Sequence, residues 1–174
     1  MIIARKPPHL SSCENRRNMT DKKVLVALAD APAAWGVVRF LQEYVVGENV
    51  EITLCFLAGE ENVMPEHEEV MDYLGAMCLE KSARMRIRML SEEPHKDLER
   101  LTAYADLLVI SKSALRTLAL EFEFTSGGCA LIAVPDHFDK VDNIVLLSDG
   151  CREGVSGFKQ FFQIFPHWSN KADF

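Results

Sequence analysis

The stretch "KVLVALADAPAAWGVVRFLQEYV", residues 23–45, decides the fold. Its first half is an apolar run of strand length without polar alternation, the pattern of a strand covered on both faces. Asp30 closes that run, and Pro32 suits the first turn of a helix. Trp35, Val38, Leu41 and Val45 then recur at helical spacing. A doubly buried strand feeding a helix is the opening unit of a parallel α/β sheet.

The same alternation continues along the chain. "VEITLCFLA" (50–58) reads as a second strand, and "PEHEEVMDYLGAMCLEKS" (65–82) as a second helix. Pro65 opens that helix, Glu66, Glu68 and Glu69 crowd its electropositive start, and Val70, Leu74, Met77 and Cys78 form one apolar stripe. "RMRIRML" (84–90) sets Arg84, Arg86 and Arg88 against Met85, Ile87 and Met89. Period two with one wet face marks a strand at a sheet edge. "HKDLERLTAY" predicts a third helix, and "ADLLVIS" and "CALIAVP" two more apolar strands. Between those two, "KSALRTLALEFEFTSGG" predicts a short helix and a glycine turn.

Right-handed crossovers then favour an open parallel five-stranded sheet, order 3-2-1-4-5, with helices on both faces. The Arg-striped strand lies at one edge and "CALIAVP" at the other. Strands one and four flank the switch point, so a ligand would meet Asp30 and the loop after Ser111.

A second stretch, "NIVLLSDGCREGVSGFKQFFQIF" (143–165), repeats the first. Asp149 takes the place of Asp30. Val155, Phe158, Phe161 and Phe165 match Trp35, Val38, Leu41 and Val45 once one residue is dropped from the second turn. The sequence therefore predicts a domain over 21–137, then a linker and the opening strand–helix unit of a truncated second domain over 138–174. Residues 1–20 are polar, basic and proline-containing, and read as a disordered extension, with Met19 a candidate start. The Phe-rich helix (151–165) cannot bury its face alone. It must pack on the first domain, on a second copy or on a missing second domain.

Composition excludes several classes. The chain has 174 residues and a net charge of −7, against a partner held through nucleic-acid phosphates. No apolar stretch approaches the roughly 20 residues of a membrane span, and "MIIARKPPHL" lacks the core of a secretory signal. Five cysteines without a CxxC pair point to a reducing, cytoplasmic setting. Cys55, Cys78 and Cys129 fall in apolar runs and read as small buried hydrophobes. The histidines at 9, 67, 95, 137 and 167 show no metal-ligand spacing and read as surface or turn residues. No metal site is expected.

"KKVLVALADAP", "YADLLVIS", "CALIAVPDHF" and "VDNIVLLSDGCREGVSGFKQFFQIFP" together resemble the universal stress protein family, above all its tandem two-domain members. The resemblance spans 22–166 and rests on the order of four motifs. It implies a Rossmann-like (HUP-type) domain, bound to ATP in some members and nucleotide-free in others that act in stress signalling. It also implies an ATP site built from an Asp after strand one, matched by Asp30, and a G-x2-G-x9-G-[ST] pattern at the end of strand four.

Laid on this chain, that pattern puts Ser111, Ala114 and Phe124 where the glycines stand, and keeps only the hydroxyl, as Thr125. Glycine serves there because main-chain N–H groups must approach phosphate oxygens with no Cβ between. Asp30, Ser111, Ala114 and Thr125 are thus the candidate nucleotide residues by resemblance, in a degenerate site. Asp30 also suits a helix cap. "TSGGC" (125–129) is an anion-binding nest or a plain turn, and Cys151 a helix-start thiol or a turn residue.

The sequence predicts a non-catalytic stress-response or signalling protein, without catalytic residues and without a cofactor, working through protein contacts. A homodimer or a missing second domain would meet it through the last strand (129–134) or the Phe-rich helix (151–165). The alternatives are an ATP-binding, weakly ATP-hydrolysing protein and a ligand-free dimerisation module.

Overall fold

The computed structural model describes residues 22–29, 31–57, 65–90, 93–118, 129–141, 144–145, 159, 161–168 and 172–173. The opening apolar run forms β1 (Lys22–Leu28), buried from Val24 onward on both faces. Its neighbours are β2 (Val50–Phe56) and β4 (Leu107–Ser111), both parallel to it. β3 (Arg84–Met89) pairs with β2, and β5 (Ala130–Val134) with β4. The sheet is five-stranded, all parallel, in the order β3-β2-β1-β4-β5. This is the Rossmann-like α/β arrangement that the alternation of apolar runs and helical stripes predicts.

Side-chain alternation splits the core into two layers. Val24, Val26 and Leu28 face one side with Ile52, Leu54 and Phe56, under α1 (Ala31–Phe40) and α2 (Pro65–Glu80). Leu25 and Ala27 face the other with Cys55, Leu108 and Ile110, under α3 (Pro94–Thr102) and α4 (Lys112–Leu118). Right-handed crossovers dictate this division, because the chain winds one way from β1 to β3 and the other way from β3 to β5. The stripe Val70, Leu74, Met77 and Cys78 is buried as the spacing requires.

Two helix ends depart from simple helical reading. α1 continues as a π turn, Leu41–Val45, closed by Val46 N–H on Leu41 O at 2.8 Å. That wider turn carries Tyr44, whose ring meets Trp168 edge-on at 4.9 Å and whose hydroxyl accepts Val141 N–H at 3.0 Å. α2 ends in a Schellman-type turn: Ser82 has φ 55° and Ala83 N–H reaches back to Cys78 O at 2.8 Å.

β3 lies at the edge, with Arg84, Arg86 and Arg88 exposed as the alternation predicts. Its apolar side is only half covered, and Ile87 is 49% exposed, since among the described residues no strand pairs beyond β3. His67 departs from the surface role expected of it. It lies buried in the first turns of α2, its ring edge-on to Phe56 at 5.1 Å.

The face of β4 and β5 beside α1 is covered from far along the sequence. Ile164, Phe165 and Trp168 join the same core as Val24, Leu107 and Val109. Phe165 stacks on Trp168 at 4.6 Å and stands edge-on to Phe40 at 6.3 Å. Lys22 Nζ donates to Ile164 O at 2.7 Å, tying the start of β1 to this segment. Of the three possible resting places for the Phe-rich helix, the residues described here occupy the first domain. Phe158 lies outside the described residues. A two-residue parallel ladder joins β6 (Ile144–Val145) to β7 (Ala172–Asp173).

Candidate functional site

The site begins at Ser111, the last residue of β4, because the sheet's switch point lies between the carboxyl ends of β1 and β4. Ser111 is fully buried, and its Oγ accepts the N–H of Ala114 at 3.1 Å. This is an N-cap: a side-chain oxygen takes one of the four donors that a helix start leaves without an intrahelical partner. Ser113 Oγ lies 3.1 Å from Ser111 Oγ, so the two hydroxyls share a proton donor and an acceptor.

A second donor of the same turn is taken from across the sheet. Asp136, in the loop after β5, accepts the N–H of Ser113 through Oδ1 at 3.1 Å. Two successive amides at the start of α4 therefore already point at protein oxygens, one of them a carboxylate. A phosphate arriving there would have to displace both and sit beside the negative charge of Asp136.

Asp136 is held in place by a glycine. A Cβ built on Gly36, in the middle of α1, would come within 2.6 Å of Pro135 O and 2.7 Å of Asp136 O. Bare main chain at Gly36 thus lets α1 lie directly on the turn that follows β5. The close approach belongs to helix-to-turn packing and not to a ligand.

Of the residues singled out by resemblance, Ser111 and Ala114 meet here, three positions apart and hydrogen-bonded to one another. Asp30, Phe124 and Thr125 lie outside the described residues, as do residues 125–128 of "TSGGC", and Cys151. Leu118 is buried in the core beneath α4 with Leu108 and Ile110. Asp136 and Gly36 were missed by sequence reasoning. The glycine inside a helical stripe was an available signal. So was a serine directly before a helical run, which is a capping pattern as much as a lost glycine.

Burial disfavours the thiolate form of the described cysteines. Burial pushes the Cys55 thiol up to about 12, against the opposing pull of the Arg88 charge, and Cys129 up to about 11. Burial also raises Cys78. A raised folded-state value stabilises the fold fully below the ordinary thiol range, and that contribution is lost as pH rises toward the folded values. Unfolding free energy is therefore expected to fall between about pH 9 and pH 12, and Cys55→Ala to flatten that slope in urea titrations across the range. Among the described residues no group of three or more His, Cys, Asp or Glu could hold a metal ion.

Ser111→Ala removes the cap and leaves Ala114 N–H buried without its acceptor. A loss of about 1–2 kcal/mol in urea unfolding is the expected outcome.

No helix among the described residues is long and apolar enough to cross a membrane. No family model matches the chain, and no curated protein matches it. Among solved structures, histidinol dehydrogenase from Elizabethkingia anophelis is similar over 66% of this chain and 26% of its own, at 13% identity and a TM-score of 0.39.

Proposed function

We propose that this chain is a universal stress protein-like domain that is not an enzyme and that acts through protein contacts in a stress response, with its nucleotide site closed by its own hydrogen bonds. One observation carries the reading: Ser111 Oγ and Asp136 Oδ1 occupy the Ala114 and Ser113 amides that a triphosphate would need. The motif order described above supplies the family, and the capped α4 start argues against its ATP-binding branch. Titration with labelled ATP and magnesium tests this directly. Saturation is expected to be absent below about 1 mM, an affinity worth only about 4 kcal/mol. Micromolar binding lost in Asp30→Ala would overturn the reading in favour of an ATP-binding protein.

The contact surface that fits this role is β5. It ends the sheet, its sequence Ala130–Val134 carries no charge, and Leu131 is 37% exposed. Hollows of about 220 and 230 Å³ lie along it, lined by Phe161 with Phe40, Phe138 and Trp168 on one side and Ile164 and Phe165 on the other. An uncharged strand edge pairs with another copy of itself without repulsion. Ile164 and Phe165 are already buried within the chain, which leaves the strand as the better surface of the two that the sequence offers. A dimer in light scattering that Leu131→Lys converts to monomer is the expected result. A monomer at high concentration would remove this part of the proposal while leaving the nucleotide part standing.

A further inference from the structure

The opposite end of the sheet holds a feature that neither the nucleotide site nor β5 uses. α3 is nine residues long and, through Leu98, covers Leu25, Ala27 and Cys55. The earlier part of β2 and its neighbour β3 stay open on that face. The result is a trough of about 290 Å³ lined by Lys23, Glu51, Thr53, Arg86, Arg88 and Tyr104, with Leu101 of α3 and Ala105 of the turn after it on the far wall.

The register places these side chains on one face. Glu51 pairs with Arg84, Thr53 with Arg86 and Cys55 with Arg88, and partners across a parallel ladder share a face. Arg86 and Arg88 therefore stand about 7 Å apart along one strand edge. Glu51 pairs with Arg86, Oε1 to Nε at 3.2 Å, and with Arg84, Oε2 to Nη2 at 3.6 Å. Neither the Arg88 guanidinium nor the Lys23 ammonium forms an ion pair among the described residues, while the Lys23 main-chain N–H donates to Asp106 Oδ2 at 2.8 Å. Lys23, Arg86 and Arg88 line the trough against Glu51, with Asp106 beside it, so the lining carries more cations than carboxylates in a chain whose net charge is −7. Tyr104, 77% exposed, supplies an aromatic wall beside them.

We infer that this trough binds a small oxyanion, a phosphate ester or a carboxylate, that carries an aromatic or apolar body. The anion meets the Arg86 and Arg88 guanidinium groups, whose planar donors match two oxygens at once. The body lies on Tyr104 and Leu101. Its size suits a compact metabolite, since the volume lies at the small end of ligand clefts. The site stands apart from the carboxyl ends of β1 and β4, so it is independent of whether a nucleotide binds there.

Two-dimensional NMR of the intact chain tests it with phenyl phosphate, benzoate and uncharged benzyl alcohol. Phenyl phosphate is expected to shift the amides of Thr53, Arg86, Arg88 and Tyr104 with saturation below about 1 mM. Arg86→Gln and Arg88→Gln, both at exposed positions, are each expected to weaken it about tenfold or more. Arg39→Gln removes the same charge from α1 and leaves the affinity unchanged. Saturation by phenyl phosphate alone assigns the site to phosphate esters, and saturation by benzoate as well assigns it to the wider oxyanion class. Equal binding of benzyl alcohol, no saturation up to 10 mM (about 3 kcal/mol), or affinities indifferent to Arg86 and Arg88 would overturn the inference.

Discussion

Phe165→Ala is expected to lower the unfolding free energy by about 3–5 kcal/mol, the range for removing a fully packed aromatic side chain. Phe165 is 1% exposed, and its ring lies nearly parallel to Trp168, 15° apart in plane. It also meets Phe161 at 5.3 Å and Phe40 edge-on. Deleting it opens a cavity bordered by residues from α1 and from the same C-terminal segment. Urea unfolding followed by tryptophan fluorescence measures the loss and reports on the same cluster. A segment that merely lay against the first domain would lose less than about 1 kcal/mol, as surface substitutions do. Such a result would detach residues 161–168 from the core.

Gly36→Ala is expected to destabilise by about 1–3 kcal/mol, although helix propensity alone favours alanine by about 1 kcal/mol. The methyl group would fall 2.6 and 2.7 Å from two carbonyl oxygens. Both belong to main chain, so relief requires moving α1 away from the turn after β5 and not rotating a side chain. Asp136 moves with that turn, and its bond to Ser113 N–H lengthens. The amide of Ser113 is then expected to lose protection in hydrogen exchange, a readout that a general loss of helix would not single out. A stabilised Gly36→Ala protein would show that α1 can shift without cost, and that the capped turn at α4 does not depend on it.

The sheet was legible because its signals are local. β1 and β4 are unbroken apolar runs, the Arg84–Arg86–Arg88 alternation marks an edge, and the α2 stripe returns every three or four residues. Each of these patterns reports a single element's own two faces. What the sequence could not convey are contacts between elements far apart in the chain. Asp136 reaches Ser113 across 23 positions, and Phe165 finds Phe40 only once the sheet has brought them together. Ser111 illustrates the limit at the candidate site. A serine in place of glycine predicts a blocked phosphate cradle from bulk alone, whereas the feature seen at Ser111 is a hydroxyl capping α4 through Ala114 N–H. His67 was misjudged because its burial depends on Phe56, a residue of the neighbouring strand.

The bond from Lys22 Nζ to Ile164 O spans 142 positions of sequence. During synthesis the first strand leaves the ribosome long before the residues that seal its side of the sheet exist. Until Phe165 and Trp168 emerge, the aromatic ring of Phe40 and the faces of β4 and β5 stay open to water and to other nascent chains. Closure of this face thus waits for residues 164–168, and a ribosome stalled shortly before Ile164 would display an adhesive, unfinished sheet face for chaperones to recognise.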